Sequence, residues 1–247
     1  MKQIVDDILA AYERKDWKCA ISSCEEYISA CKIAFMEALT LDTATNFAGS
    51  VVLFSQICAG EQKPWKAIPM LEDARGCLRF MEDFMQDREV LSSTFYSFAN
   101  SYELAGFIPE ALQYYMKVVE FASDPALLEN AVYSAYFFSL REKNKVENSF
   151  KSTVETKIGK ELSSTLMDEA KETLAKLPKW DPVEQSEEFL NVRYELEMRV
   201  DQILSTCTSD ERPFCVQYWD CKKKVLQNDF GIVWNTPAEC NPNMRFS

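Results

Sequence analysis

Six glycines in 247 residues constrain this chain more than any other feature. At the usual ~7% a chain of this length would hold roughly 17. Glycine supplies the positive-φ positions of tight hairpins and the bare backbone of phosphate-cradling loops. A chain short of it is left with helices and short joints. Its 47% hydrophobic and 27% charged residues are the balance of a folding globular chain, with material for one large core or two modest ones.

The helical expectation is sharpest over Ser92–Ser123. Phe95, Phe98, Ala99 and Tyr102 fall on one helical face. A break follows at Ala105-Gly106, and Pro109 opens a second helix from within its first turn. That helix carries Ala111, Tyr115, Val118 and Val119 on one side, so the segment reads as a helix hairpin.

In this order of residues the segment resembles the tetratricopeptide repeat. Phe95, Phe98, Ala99, Tyr102, Gly106, Ala111, Tyr115 and Val118 fill its positions, with Val118 where the family has a small residue. Small residues let two helices approach and large ones plug the gaps between them. Aligned on Ala111, Val146 lies 35 residues on, with Ser134 and Phe137 before it and Phe150 after it. That spacing is near the family's ~34.

Toward the N-terminus, Trp17-Lys18-Cys19-Ala20-Ile21 and Trp65-Lys66-Ala67-Ile68 share a phrase expected to open the second helix of two further hairpins. Ala20, Ala67 and Ala111 are 47 and 44 residues apart, longer than the family period. Leu71, Ala74, Leu78, Met81 and Met85 form the stripe of one elongated arm. The expected fold is therefore all-α: an irregular, tetratricopeptide-like stack of antiparallel hairpins over residues 1–157. A helical bundle with one true repeat is the alternative.

Residues 158–229 read as capping helices and 230–247 as an irregular aromatic strap packed on them. A helix is predicted over Ile158–Lys176, ended by Leu177-Pro178. Asp181-Pro182 then opens a long helix striped by Phe189, Val192, Leu196, Val200 and Ile203. A short helix after Pro213 sets Phe214, Tyr218, Cys221 and Val225 on one side. The strap holds enough apolar area to offset its ordering entropy.

A formal charge of −12 repels phosphate backbones and anionic lipid surfaces, so neither nucleic acid nor membrane is an expected partner. Lys222-Lys223-Lys224 reads as a solvated helix face. The chain has no histidine, which removes Ser-His-Asp and Cys-His chemistry and the commonest metal ligand. Glu184, Glu187 and Glu188 suit the helix dipole as well as any catalysis. Cys207, Cys215, Cys221 and Cys240 lack the paired spacing of a zinc site, and Cys19, Cys24 and Cys31 follow helical periodicity into the core. Gly60, Gly76 and Gly106 stand alone, without a phosphate loop. Neither a cofactor nor a metal is expected, and the chain reads as no enzyme. The opening residues lack the unbroken apolar stretch of a secretory signal, which with reduced thiols places the chain in the cytoplasm.

The resemblance implies a groove lined by the first helix of each hairpin. Carried across, its positions are Val52, Gln56 and Ala59; Tyr96, Asn100 and Glu103; and Ala131, Ala135 and Phe138. Asn100 alone matches the family's clamp for a peptide carboxylate, and the clamp's basic positions are not basic here. The expected activity is a non-enzymatic scaffold that binds a peptide or protein, with an apolar or basic segment favoured. Two alternatives stand beside it: a ligand pocket or enzyme near Tyr218, Trp219 and Trp234, and self-assembly into a homo-oligomer.

Overall fold

Three hairpins of this chain close by one and the same turn. Helix α1 (Lys2–Glu13) turns into α2 (Trp17–Ala38), α3 (Leu41–Gly60) into a one-turn 3-10 segment (Pro64–Ala67), and α6 (Arg88–Leu104) into α7 (Ile108–Phe121). At each turn one residue takes a left-handed backbone: Lys15 at φ 58°, Gln62 at 65° and Gly106 at 77°. The next N–H then reaches back five residues, Asp16 to the Ala11 carbonyl (3.0 Å), Lys63 to Cys58 (2.8 Å) and Phe107 to Tyr102 (2.8 Å). This is the Schellman arrangement, which satisfies carbonyls that a helix end leaves open. Ala20, Ala67 and Ala111 each follow their left-handed residue by five positions, and all three are fully buried.

The structure is a computed structural model that describes residues 2–143, 145–206 and 213–246, and all regular structure among them is helical. Compactness divides the chain into Met1–Leu174 and Ala175–Ser247. The first unit is a stack of helices. After the 3-10 segment, the long arm of the second hairpin continues as α4 (Ile68–Asp73) and α5 (Arg75–Phe84). Pro64 and Pro69 each sit in a first turn, where the missing N–H is tolerated, and so divide the arm into pieces. The predicted stripe of Leu71, Ala74, Leu78, Met81 and Met85 is buried along it.

Large side chains fill the spaces between hairpins. Phe95, Phe98, Ala99 and Tyr102 of α6 are fully buried, and each large one contributes about 1.5–3 kcal/mol by leaving water. Tyr102 stacks on Tyr114 at 5.6 Å and donates to Glu72 at 2.9 Å, joining the second hairpin to the third. At Gly60 the first two hairpins approach closely: a Cβ there would stand 2.8 Å from the Tyr12 ring and 3.0 Å from that of Trp17. Lys32–Asp73 (2.5 Å) and Lys117–Glu82 (2.6 Å) tie neighbouring helices at the surface, where an ion pair is worth at most ~1 kcal/mol.

The fourth hairpin departs from the expected register. Helix α8 (Pro125–Lys143) runs past the place of the turn, and α9 (Asn148–Ile158) starts after Val146. Val146 is half-buried outside any helix and is no counterpart of Ala111. Phe150 and Val154 hold α9 instead, Phe150 against Tyr136 at 5.9 Å, and the α9 backbone comes nearer α7 than α8. Helix α10 (Lys160–Lys176) belongs to the same unit through most of its length, and its Ser163 and Thr173 hydroxyls meet Tyr136 (2.7 Å) and Tyr133 (3.0 Å) of α8.

The second unit is built on α11 (Glu187–Thr206) and α12 (Phe214–Phe230), with a one-turn α13 (Pro237–Cys240). Asp181-Pro182 opens a single 3-10 turn (Pro182–Gln185) and not the long helix, whose first turn uses the Ser186 hydroxyl to accept from the Phe189 N–H at 3.2 Å. Phe189, Leu196 and Val200 bury as predicted, while Ile203 is exposed. The helix after Pro213 is 17 residues long rather than short, and Phe214 at its start is exposed. Residues 230–246 lie on these helices with Ile232 and Trp234 in the core. Asn241 pairs with the Lys179 backbone in both directions at 2.8 Å, and Asp181 accepts from the Asn235 N–H (2.6 Å) and side-chain amide (2.8 Å). Among the described residues no helix is long and apolar enough to cross a membrane.

Candidate functional site

The structure divides the expected groove into two places. Val52 and Gln56 lie on α3, where α3 and α6 leave two adjoining clefts of about 400 and 620 Å3 between them. Thr45, Gly49 and Val52 line the α3 side, one below the other at helical spacing, and Val90, Ser93, Thr94 and Ser97 line the α6 side. Asp42, Asp87 and Glu89 are among the lining residues. Asp87 also caps α6, accepting from the N–H groups of Glu89 and Val90 at 3.1 Å. Gln56 is exposed farther along α3, outside both clefts.

Tyr96, Asn100, Glu103 and Phe138 gather elsewhere, around Tyr115 of α7. Tyr96 meets its ring edge-on at 5.8 Å and Phe138 stacks on it at 6.0 Å. The phenol lies 2.6 Å from the Asn100 amide oxygen as placed and in short contact with Glu103. One hydroxyl proton serves one acceptor, and the charged carboxylate takes it. The Asn100 amide is then best satisfied with its NH2 toward the phenol oxygen. Burial first, and then the Glu103 carboxylate, pushes the Tyr115 pKa well up, so the phenol stays protonated.

Three expected groove residues are therefore core. Ala131 and Ala135 are fully buried and Phe138 is 3% exposed. The physical reason is that α8 is covered on two sides, by Tyr115 of α7 and by α10 through Tyr133 and Tyr136. No partner reaches Phe138 without opening the stack. Asn100 lies against the Tyr115 hydroxyl.

The run Lys222-Lys223-Lys224 also needs correction. Lys222 is no solvated charge: its side chain is 15% exposed and pairs with Glu197 at 2.9 Å. Its ammonium lies 5.4–5.7 Å from the ring centres of Tyr218, Trp234 and Phe189. Burial alone would lower its pKa, but the Tyr218 and Glu197 groups outweigh that and raise it. The cation–π enclosure around Tyr218 and Trp234 thus holds the chain's own lysine, while Trp219 packs against Phe246 at 5.2 Å. Lys223 pairs with Glu239 and only Lys224 is exposed.

Glu184 accepts from the Trp234 indole at 2.8 Å, and Glu187 and Glu188 occupy the first turn of α11. Cys24 and Cys31 are buried, whereas Cys19 is exposed and does not join them. Burial pushes Cys24, Cys58 and Cys77 up to about 12. Cys207 lies outside the described residues. Among those described, no three His, Cys, Asp or Glu side chains gather as a metal site.

Sequence reasoning named Val52 but missed Gly49, Thr45, Ser93, Thr94 and Ser97 beside it. The signal was present as small residues at 45, 49 and 52 on one face of α3. Compared with known proteins, the chain matches no family model, no curated protein and no solved structure.

Proposed function

We propose that this protein is a non-enzymatic interaction scaffold of tetratricopeptide-like construction, holding a peptide or protein segment in the cleft between α3 and α6. The observation that carries the reading is the open cleft between the first helices of two successive hairpins, at the place where a stack of this kind presents its groove. The repeated turn at Lys15, Gln62 and Gly106 supports the repeat construction itself. A charge of −12 turns the surface away from nucleic acid and anionic lipid. The cytoplasm, where thiols stay reduced, suits the buried thiols of Cys24, Cys31, Cys58 and Cys77.

A photo-reactive benzoylphenylalanine placed at Val52, and in a second variant at the exposed Glu129 of α8, tests the site in native cell lysate. The expected result is one discrete adduct from position 52 that position 129 does not give. Identical adducts from both positions, or none from position 52, would remove the cleft as the binding site.

A further inference from the structure

We infer that the α3/α6 cleft seats an extended cationic segment, a stretch of chain carrying arginine or lysine laid against the bare backbone at Gly49. The inference rests on the interaction reading above and adds the partner's chemistry. Gly49 stands in the middle of α3, where glycine is a poor helix former, and it is exposed in the cleft. A Cβ added there would meet nothing within 4 Å, whereas Gly60 of the same helix has two aromatic rings against it. Packing within the fold therefore accounts for Gly60 but not for Gly49. What a bare Gly49 leaves is room for a second backbone to approach the helix.

Two of the hydroxyls lining the cleft beside Gly49 are left as acceptors. The Thr94 hydroxyl donates to the Val90 carbonyl at 2.8 Å and the Ser97 hydroxyl to the Ser93 carbonyl at 3.0 Å. Their protons are spent within α6, and their lone pairs remain for a donor from outside. Asp42, Asp87 and Glu89 add acidic residues to the lining, and none of the residues lining either cleft is Lys or Arg. The adjacent cation, Arg88, lies over the Phe121 ring at 5.0 Å. Val52 and Val90 are the apolar side chains of the first cleft, and the methylene stem of an arginine or lysine can cover such residues. A cleft lined by acceptor hydroxyls and acidic residues, with no basic one, matches guanidinium or ammonium groups and repels an acidic segment.

Fluorescence anisotropy with a labelled acetyl-(Gly-Arg)4-amide peptide, and its glutamine and glutamate counterparts, tests this on the whole chain. Two doubly charge-reversed variants are compared, Asp42→Lys/Glu89→Lys in the cleft and Glu13→Lys/Glu129→Lys elsewhere on exposed helix, so that net charge changes equally. The arginine peptide should bind, the glutamine peptide more weakly and the glutamate peptide not at all. The cleft reversal should weaken the arginine peptide about tenfold or more and the control reversal less than about twofold. Gly49→Leu should abolish binding while Tm holds or rises, because leucine is the better helix former and has open space. Equal weakening by the two reversals would show attraction to the general acidic field and overturn the inference. So would no arginine-peptide binding, or binding that survives Gly49→Leu. A glutamine peptide that binds as well as the arginine one and is lost in Gly49→Leu would overturn the cationic partner alone. Crosslinking from Val52 would then still decide the interaction reading separately.

Discussion

Lys15, Gln62 and Gly106 share a left-handed backbone, yet only one is glycine. An L side chain there costs roughly 1–2 kcal/mol, partly offset by the extra chain entropy that glycine loses on folding. Gln62→Gly is accordingly expected to stabilise by about 0.5–1 kcal/mol and Gly106→Ala to destabilise by a similar amount, read from urea midpoints. Gly106 was legible in the sequence as a turn; the left-handed Lys15 and Gln62 were not, because nothing in their chemistry asks for that conformation. Lys222 gives the opposite lesson. A triple-lysine run reads as solvent-facing, but three rings contributed from α11, α12 and the strap enclose one of its members. Lys222→Met should cost about 3 kcal/mol by leaving the Glu197 carboxylate without its cation, and Lys222→Met/Glu197→Gln should recover part of that. Denaturant unfolding followed by tryptophan fluorescence reads both.

At the scale of the element, each hairpin is set by one small residue at its crossing. Ala20, Ala67 and Ala111 have no room for a larger side chain, so Ala67→Leu or Ala111→Leu should cost about 1–3 kcal/mol in overpacking. Val146→Leu, at the position that spacing alone made equivalent, should change stability by less than about 0.5 kcal/mol because Val146 is half-buried outside a helix. Thermal melts of the three variants separate the two registers. The first three hairpins were legible because apolar periodicity, a turn and a small residue coincide in each. The fourth was not: α8 runs on to Lys143 through residues with no helix-stopping signal. The groove was half legible. Which faces of α3 and α6 point at each other depends on how the hairpins rotate in the stack, and that rotation has no signature in a single helix.

Across the whole molecule, titration should show at high pH. Cys24, Cys58 and Cys77 have folded pKa values pushed up by burial to about 12, from an ordinary 9.0. Tyr102, Tyr115 and Tyr218 are raised mainly by burial, and Lys222 by its anionic neighbours. Every one of these groups is held protonated by the fold. Their contribution is complete below the ordinary thiol pKa and is lost as pH rises, because the unfolded chain gives up these protons first. Tm should stay nearly level from about pH 6 to 8, where a chain without histidine has little to titrate, and fall steadily between about pH 9 and 12. A level Tm through pH 11 would contradict the burial of these thiols and phenols.

Composition and pattern alone determined that this chain is helical, acidic and built from hairpins, because glycine supply, periodicity and net charge act locally or sum over the sequence. Tertiary structure alone decided what is exposed. It buried Ala131, Ala135 and Phe138, closed aromatic rings around Lys222 and left Gly49 bare in an acidic cleft. Exposure belongs to pairs of elements: a face is open or covered only once another helix has come to lie beside it.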